Sequence, residues 1–262
     1  MSASDTAIVE FDEISKSFGS IRALDSVSFD VLENEVLALM GDNGAGKSTL
    51  IKILSGVLQQ SSGQLRVHGK DVDFESHMNA RDAGIETIYQ NLALAPHRTV
   101  WENIFLGKEP TLDGPLGSIF GFVDEAYMRC ESEKVLDRLK MAIDPNKMVK
   151  NLSGGQQQAV AVARAVQSDP EIIIMDEPTS ALSVEASQRI LNLVVDLKRQ
   201  GITVILIDHN IDEVFEVAGR MVVLAQGQFM GARAAEDITE DQLIKMMMGS
   251  ADASSDPAAE PA

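Results

Sequence analysis

Cysteine is nearly absent: Cys130 is the only one in 262 residues. No internal disulfide can form, and a reducing compartment suits such a chain. Cys130 stands among charged residues of an expected helix and reads as a bystander thiol. Basic residues are also scarce, with 22 Lys and Arg against 40 Asp and Glu and a net charge of −18. General nucleic-acid binding needs a basic footprint, so that class is set aside; a nucleotide held locally is not. The acidic excess reads as a soluble, self-repelling surface. Long apolar runs are missing as well, and none approaches the roughly 18 residues of a bilayer span. Met1–Thr6 shows no basic segment followed by an apolar one, so no signal peptide is expected. There is no internal repeat.

What the chain does have is the length for one large domain or two small ones and enough apolar residues, 45%, for a real core. It also has one stretch around which the rest is organised, Gly41-Asp42-Asn43-Gly44-Ala45-Gly46-Lys47-Ser48-Thr49. This fits G-x-x-x-x-G-K-[ST], a phosphate-binding loop. The apolar run Val36–Met40 before it predicts a buried strand, and Lys47 to about Leu58 predicts a helix. Glycines let backbone N–H groups turn toward a polyphosphate, and the helix start adds its positive dipole end. Lys47 would bring a full charge to the terminal phosphates, and Ser48 a hydroxyl to Mg²⁺.

Alternation predicts strands at Ile8–Ile14, Val27–Val31 and Gln64–His68, with turns at Glu33–Glu35 and Ser61–Gly63: an antiparallel β part beside the loop. Met78–Ala83 reads as helix and Ile85–Tyr89 as strand. From about Asn91 to Lys150 the chain is punctuated by Pro96, Pro110, Pro115 and Pro145, with helical stretches between them, the clearest at Asp124–Met141. This reads as a helical insert. Glu171–Met175, Thr203–Ile207 and Met221–Leu224 are aliphatic runs suited to strands buried on both faces. The helix Glu185–Gln200 carries Ile190, Leu193, Val194 and Leu197 on one stripe, with Gly201 as its cap. Strands alternating with helices imply a mainly parallel sheet. A last helix is expected within residues 235–249, with Met246, Met247 and Met248 as packing. Residues 250–262 hold only Gly-free small, acidic and Pro residues and are expected to be disordered.

Two further motifs bear on chemistry. Ile172–Met175 ends in Asp176-Glu177, and a buried strand delivers its terminal acids to the ligand crevice of such a sheet. Asp176 can help hold Mg²⁺, and Glu177 can accept a proton from an attacking water. Leu152-Ser153-Gly154-Gly155-Gln156 opens a helix through Arg164 to about Gln167, with Ser153 as N-cap: a second anion site without its own lysine.

In order and spacing, these motifs and His209 resemble the ABC transporter ATPases, over about residues 8–249. The resemblance implies an α/β P-loop fold of ABC type: a mainly parallel core sheet, an antiparallel β subdomain and an inserted helical subdomain, about residues 91–165 of an ATPase domain spanning 7–249. It implies ATP and Mg²⁺ as ligands and two subunits closing head-to-tail. Ser153, Gly155 and Gln156 would then touch ATP bound by the partner, and Gln90 would sense Mg²⁺ and the γ-phosphate. His209 would contact the γ-phosphate, and Phe18 would lie against adenine. Gly41, Asn43, Gly44, Ala45, Gly46, Lys47, Ser48 and Thr49 would form the phosphate loop. The loop, Ala83–Leu94 and Glu102–Gly107 are similar to ATPases of monosaccharide importers, including those for ribose, xylose and the single-domain fructose type. That likeness implies a second ATPase subunit, membrane permease subunits with an extracytoplasmic sugar-binding protein beyond them, and a place on the cytoplasmic face of the inner membrane. A permease helix would dock beside Gln90 and the helical insert; nearby Trp101 could line that groove, though it reads first as core. Another cargo, a soluble ABC protein, or a module that holds ATP without turnover remain alternatives. Two positions depart from the family pattern. Ser183 stands where many members have Asp, and Asp208 precedes His209 where Ser is commoner; if the Asp208 carboxylate reaches the imidazole, it favours the protonated ring.

Overall fold

The computed structural model describes residues 6–112 and 121–249. Pro115 and the tail 250–262 lie outside them. Ten strands form two sheets among the described residues: β1 (Ala7–Phe18), β2 (Ile21–Leu32), β3 (Val36–Met40), β4 (Ser62–Val67), β5 (Lys70–Val72), β6 (Ile85–Ile88), β7 (Ile172–Asp176), β8 (Thr203–Ile207), β9 (Arg220–Ala225) and β10 (Gln228–Ala234). One sheet is antiparallel, in the order β2-β1-β4-β5. The other runs β10-β9-β3-β8-β7-β6 and is parallel except for β10.

The parallel strands are apolar on both faces because each face meets a different core. Val36, Ala38 and Met40 of β3 enter one core, together with Ile173 and Met175 of β7 and Val204 and Leu206 of β8. The alternate residues Leu37, Leu39, Ile172, Ile174, Ile205 and Ile207 enter the other. A two-residue side-chain period sorts one unbroken run into two cores. The first core is closed by helices: α3 (Val100–Ile104), α4 (Glu125–Arg138), α5 (Gly154–Val166) and α6 (Val184–Arg199). The second is closed by the antiparallel sheet and α1 (Lys47–Leu54). Remaining helices are α2 (His77–Asp82), α7 (Ile211–Val217) and α8 (Glu240–Met247).

Several boundaries differ from the sequence reading. The helix after the phosphate loop stops at Leu54 rather than near Leu58. Gly56 follows at φ 70, and a Cβ there would lie 2.3 Å from Ser76 O, so the chain must turn under α2. Ser62-Gly63 is not a turn but the start of β4, bulged opposite Asp12–Ser15; a Cβ on Gly63 would meet Glu13 O at 2.3 Å. The strands β5 and β10 were not anticipated. The last helix occupies only Glu240–Met247, and Met246 and Met247 pack on the core while Met248 stands 70% exposed. Trp101 is core, 6% exposed, with the Arg129 guanidinium 5.0 Å from its ring centre.

Candidate functional site

The four parallel strands β6, β7, β8 and β3 are neighbours, and the carboxyl end of each delivers one part of the site. β3 leads into the phosphate loop. Its first glycine, Gly41, lies at φ 146 with no room for a side chain, since a Cβ would sit 2.2 Å from Leu224 O of β9. Gly46, at φ 102, is pressed between Leu24 and Ala23 O, 2.7 and 2.8 Å from a would-be Cβ. Gly46 is also the N-cap of α1 and places no side chain over the helix start, which leaves first-turn N–H groups for an anion. Ala45 is buried; its amide donates to Asp42 O (3.1 Å) and its carbonyl accepts from Gly227 N (3.1 Å). Asn43, Gly44 and Ser48 are exposed and Thr49 is half-buried.

Lys47 folds back over this loop. Its Nζ donates to Gly41 O at 2.5 Å and to Asp42 O at 3.1 Å. Partial burial lowers its pKa, opposed by the charges of Glu177, Asp42 and Asp176. The ammonium thus spends its donors on loop carbonyls, partners that a phosphate can replace.

Asp176 is the last residue of β7, half-buried, with its pKa raised by burial and then by neighbouring Glu177. Glu177 takes φ 48, left-handed for a non-glycine residue, and its amide donates to Ile207 O at 2.8 Å. This turn costs on the order of 1 kcal/mol and aims the side chain across the sheet end. There Glu177 Oε2 accepts from Gln90 Nε2 at 2.9 Å, and Oε1 lies 3.5 Å from His209 Nδ1. Gln90 follows β6, and His209 follows β8 with its side chain 68% exposed. Three residues from three strand ends therefore converge.

The Asp208 carboxylate comes only to the edge of ion-pair distance from the imidazole and accepts its hydrogen bonds elsewhere. Its carboxylate is buried; Oδ2 accepts from Thr179 Oγ1 (3.0 Å) and Oδ1 from Asn210 N (3.0 Å), leaving His209 Nδ1 at 4.0 Å. It ties the segment after Glu177 to the segment holding His209. Thr179, Gly227 and Leu224 support the site and were not singled out beforehand. They act through a buried hydroxyl, a backbone amide and a backbone carbonyl, which leave no pattern in the string.

Ser153 caps α5 in a reciprocal box: its hydroxyl accepts from Gln156 N (3.3 Å) while Gln156 Oε1 accepts from Ser153 N (3.1 Å). Gly155 abuts α6, where a Cβ would sit 2.9 Å from Ala186 Cβ. A cavity of about 730 Å³ opens here, bounded by Ser153–Gln156, Ala181–Ser183 and one side of α6. No residue of the phosphate loop lines that cavity. Phe18 ends β1, 48% exposed, with Lys16 Nζ 5.4 Å from its ring centre.

For Mg²⁺ the donor set fits: Ser48 hydroxyl, Asp176 carboxylate and the Gln90 side-chain carbonyl are hard oxygens, and one carboxylate with phosphate oxygens is the usual arrangement. Among the described residues no three His, Cys, Asp or Glu converge as an all-protein metal site.

A glycine loop closing on a helix start at the end of a parallel strand, with an acid pair at the end of a neighbouring one, defines a P-loop nucleotide-binding protein. The family model described as ABC transporter matches residues 24–180. The chain is 46% identical to the xylose/arabinose import ATP-binding protein of Sulfolobus acidocaldarius, over 92% of this chain and 93% of that one. It is 43% identical to the fructose import ATP-binding protein of Rhizobium meliloti, over 89% and 91%. A ribose import ATP-binding protein of Rhizobium meliloti is 41% identical over 93% of this chain, which spans 46% of its length. Among solved structures, a nucleotide-free ATP-binding cassette from an ABC transporter superposes with a TM-score of 0.79 at 29% identity, covering 93% of this chain and 96% of that one. A dimeric cassette in a post-hydrolysis state with ADP and Pi gives 0.71 at 27%, covering 88% and 100%. The chain belongs to the ABC transporter family, and it is an ATPase.

Proposed function

We propose that this chain energises monosaccharide uptake as the ATP-hydrolysing subunit of an importer whose membrane path lies in separate permease subunits. The names of the three relatives described above, sugar-import ATP-binding proteins, support this reading. No helix among the described residues is long and apolar enough to cross a membrane. The chain would therefore sit peripherally on the permease, at the cytoplasmic face of the inner membrane. An extracytoplasmic binding protein would deliver the sugar. Residues 7–249 would act as one ATPase domain, with 91–165 as its helical subdomain.

The observation that carries the mechanism is Glu177 held between Gln90 and His209 at the sheet end. Glu177, fixed by its left-handed turn, would orient a water and take its proton. Gln90 holds that carboxylate by one oxygen and so selects its rotamer. Lys47 would leave Gly41 and Asp42 for the terminal phosphates, and His209 would meet the γ-phosphate. Ser48, Asp176 and Gln90 would hold Mg²⁺, which when bound neutralises charge between the phosphates. Gly41, Asn43, Gly44, Ala45, Gly46 and Thr49 would wrap the phosphates and Phe18 would cover the base. Ser153, Gly155 and Gln156 would complete the pocket of a second copy, since the cavity they line includes no residue of this chain's own loop. Phosphate release from purified protein with MgATP tests the assignment: the wild type turns over, and Glu177→Gln binds ATP with little hydrolysis. Wild-type turnover in that variant would remove Glu177 as the base.

A further inference from the structure

Glu177 is not the only anchor near Gln90, because the backbone just beyond it is pinned from the helical side. Arg164, near the far end of α5, donates Nη2 to Leu92 O at 2.7 Å and Nη1 to Ala93 O at 3.1 Å. Ala93 lies at φ 47, and its amide donates to Asn91 Oδ1 at 3.2 Å. Asn103 of α3, fully buried, accepts from Ala95 N (2.7 Å) and donates to Ala95 O (3.1 Å) and Thr99 O (2.8 Å). The planar guanidinium spends two prongs on consecutive carbonyls, which an ammonium does not reproduce. The Arg164 charge also feels Glu86 of β6, which is buried and paired with Arg81 at 3.0 Å and Lys108 at 2.8 Å. A left-handed Ala93 survives only where its surroundings over-determine it, and Arg164 is one of those surroundings.

We propose that Arg164 is a positioning residue for ATP turnover. It fixes the backbone after Gln90 to the helix that begins at Ser153. The placing of Gln90 against Glu177 in one pocket then depends on the attitude of the helix whose start serves the other. The proposal rests on the roles given above to Gln90 and Glu177. A purely structural Arg164 would also hold the loop, but its removal would cost stability without acting through Gln90.

A double-mutant cycle on the full chain separates the two. Wild type, Arg164→Gln, Gln90→Ala and the double variant are compared for kcat, KM for ATP and Tm. Arg164→Gln is expected to lower kcat about tenfold to a hundredfold, as a displaced catalytic group does, with KM within about twofold. The double variant is expected to be no slower than Gln90→Ala, because the positioned side chain is already gone. Losses that multiply, with kcat of the double variant at the product of the two, would overturn the role of Arg164 while leaving that of Gln90 intact. Unchanged kcat in Gln90→Ala would instead sink the reading of Gln90 itself, and the Arg164 proposal with it. Arg164→Lys runs in parallel, so that a poorly folding Arg164→Gln leaves the cycle readable. It keeps the charge facing Glu86, and a partial kcat loss at wild-type Tm is expected. Wild-type kcat in the folded Arg164 variants would overturn the proposal.

Discussion

Gln90 Nε2 donates a 2.9 Å hydrogen bond to Glu177 Oε2. The two residues follow the ends of different strands, 87 positions apart, and neither could reach the other without β6 and β7 lying side by side in parallel. That bond, with His209 on the other carboxylate oxygen, makes Glu177 a held group rather than a loose acid at a strand end. The predictions below start from this arrangement.

Lys47 donates to two loop carbonyls, so on the proposed reading nucleotide binding would exchange neutral acceptors for charged ones. An opposite charge about 4 Å away is worth on the order of 4 kcal/mol at an effective dielectric near 20. Lys47→Met should lose ATP affinity or turnover by two orders of magnitude or more on that scale, read by titration with a fluorescent ATP analogue and by phosphate release. Affinity and turnover both within twofold of wild type would contradict it.

Asp176 carries a raised pKa because burial and Glu177 disfavour its charge. Its ionised form is therefore a cost to the fold at neutral pH. The cost is absent below the unfolded-state pKa near 4 and grows as pH rises through the raised folded value. Asp176→Asn, without nucleotide or Mg²⁺, should melt above wild type at pH 7, with the gain vanishing in acid, while its ATPase activity falls. Thermal melts from pH 3 to pH 8 check this; a variant less stable than wild type at pH 7 contradicts it.

Gly155 has a packing duty besides any contact with nucleotide. An added Cβ would sit 2.9 Å from Ala186 Cβ, an overpacking that costs about 1–3 kcal/mol. Gly155→Ala should lower Tm, and Ala186→Gly added to it should restore most of the loss. If the second change restores Tm but not ATPase activity, Gly155 also meets nucleotide. No Tm change in the single variant would contradict the packing role.

Asp208 accepts its hydrogen bonds from Thr179 and Asn210, with His209 Nδ1 4.0 Å away at the edge of ion-pair distance. Asp208→Ser should therefore keep the wild-type shape of the activity–pH profile, and should lose about 1.5–3 kcal/mol of stability with its buried charged hydrogen bonds. A displaced pH profile with unaltered Tm would show the opposite assignment.

Most of the core sheet was legible in the sequence because strands buried on both faces leave unbroken aliphatic runs: Val36–Met40, Ile172–Met175 and Thr203–Ile207 need no context. The phosphate loop was legible because its glycines are forced, Gly41 and Gly46 by close approach of neighbouring atoms and Gly44 by a φ of 85. β10 escaped because Gln228–Ala234 is an edge strand, half-buried, broken by Gly231 at φ 141 and without alternation. The overlong reading of α1 came from helix-compatible residues past Leu54, where Gly56 packs against Ser76 O, a contact that no local propensity reports. Gln90, His209 and Phe18 were found only through family likeness. Arg164 and Asn103 were missed as site residues because they act on the carbonyls and amides of distant residues, and a backbone atom has no sequence signature.

The central claim is that two copies of this chain close on ATP, each supplying Ser153, Gly155 and Gln156 to the other's pocket. Glu177→Gln, purified and mixed with MgATP, isolates that claim from turnover, and light scattering reads it. The account predicts that the mass doubles on adding MgATP and returns to the monomer when Ser153→Arg is introduced into both copies. A mass that stays monomeric with saturating MgATP, even with the permease subunits present, would contradict it.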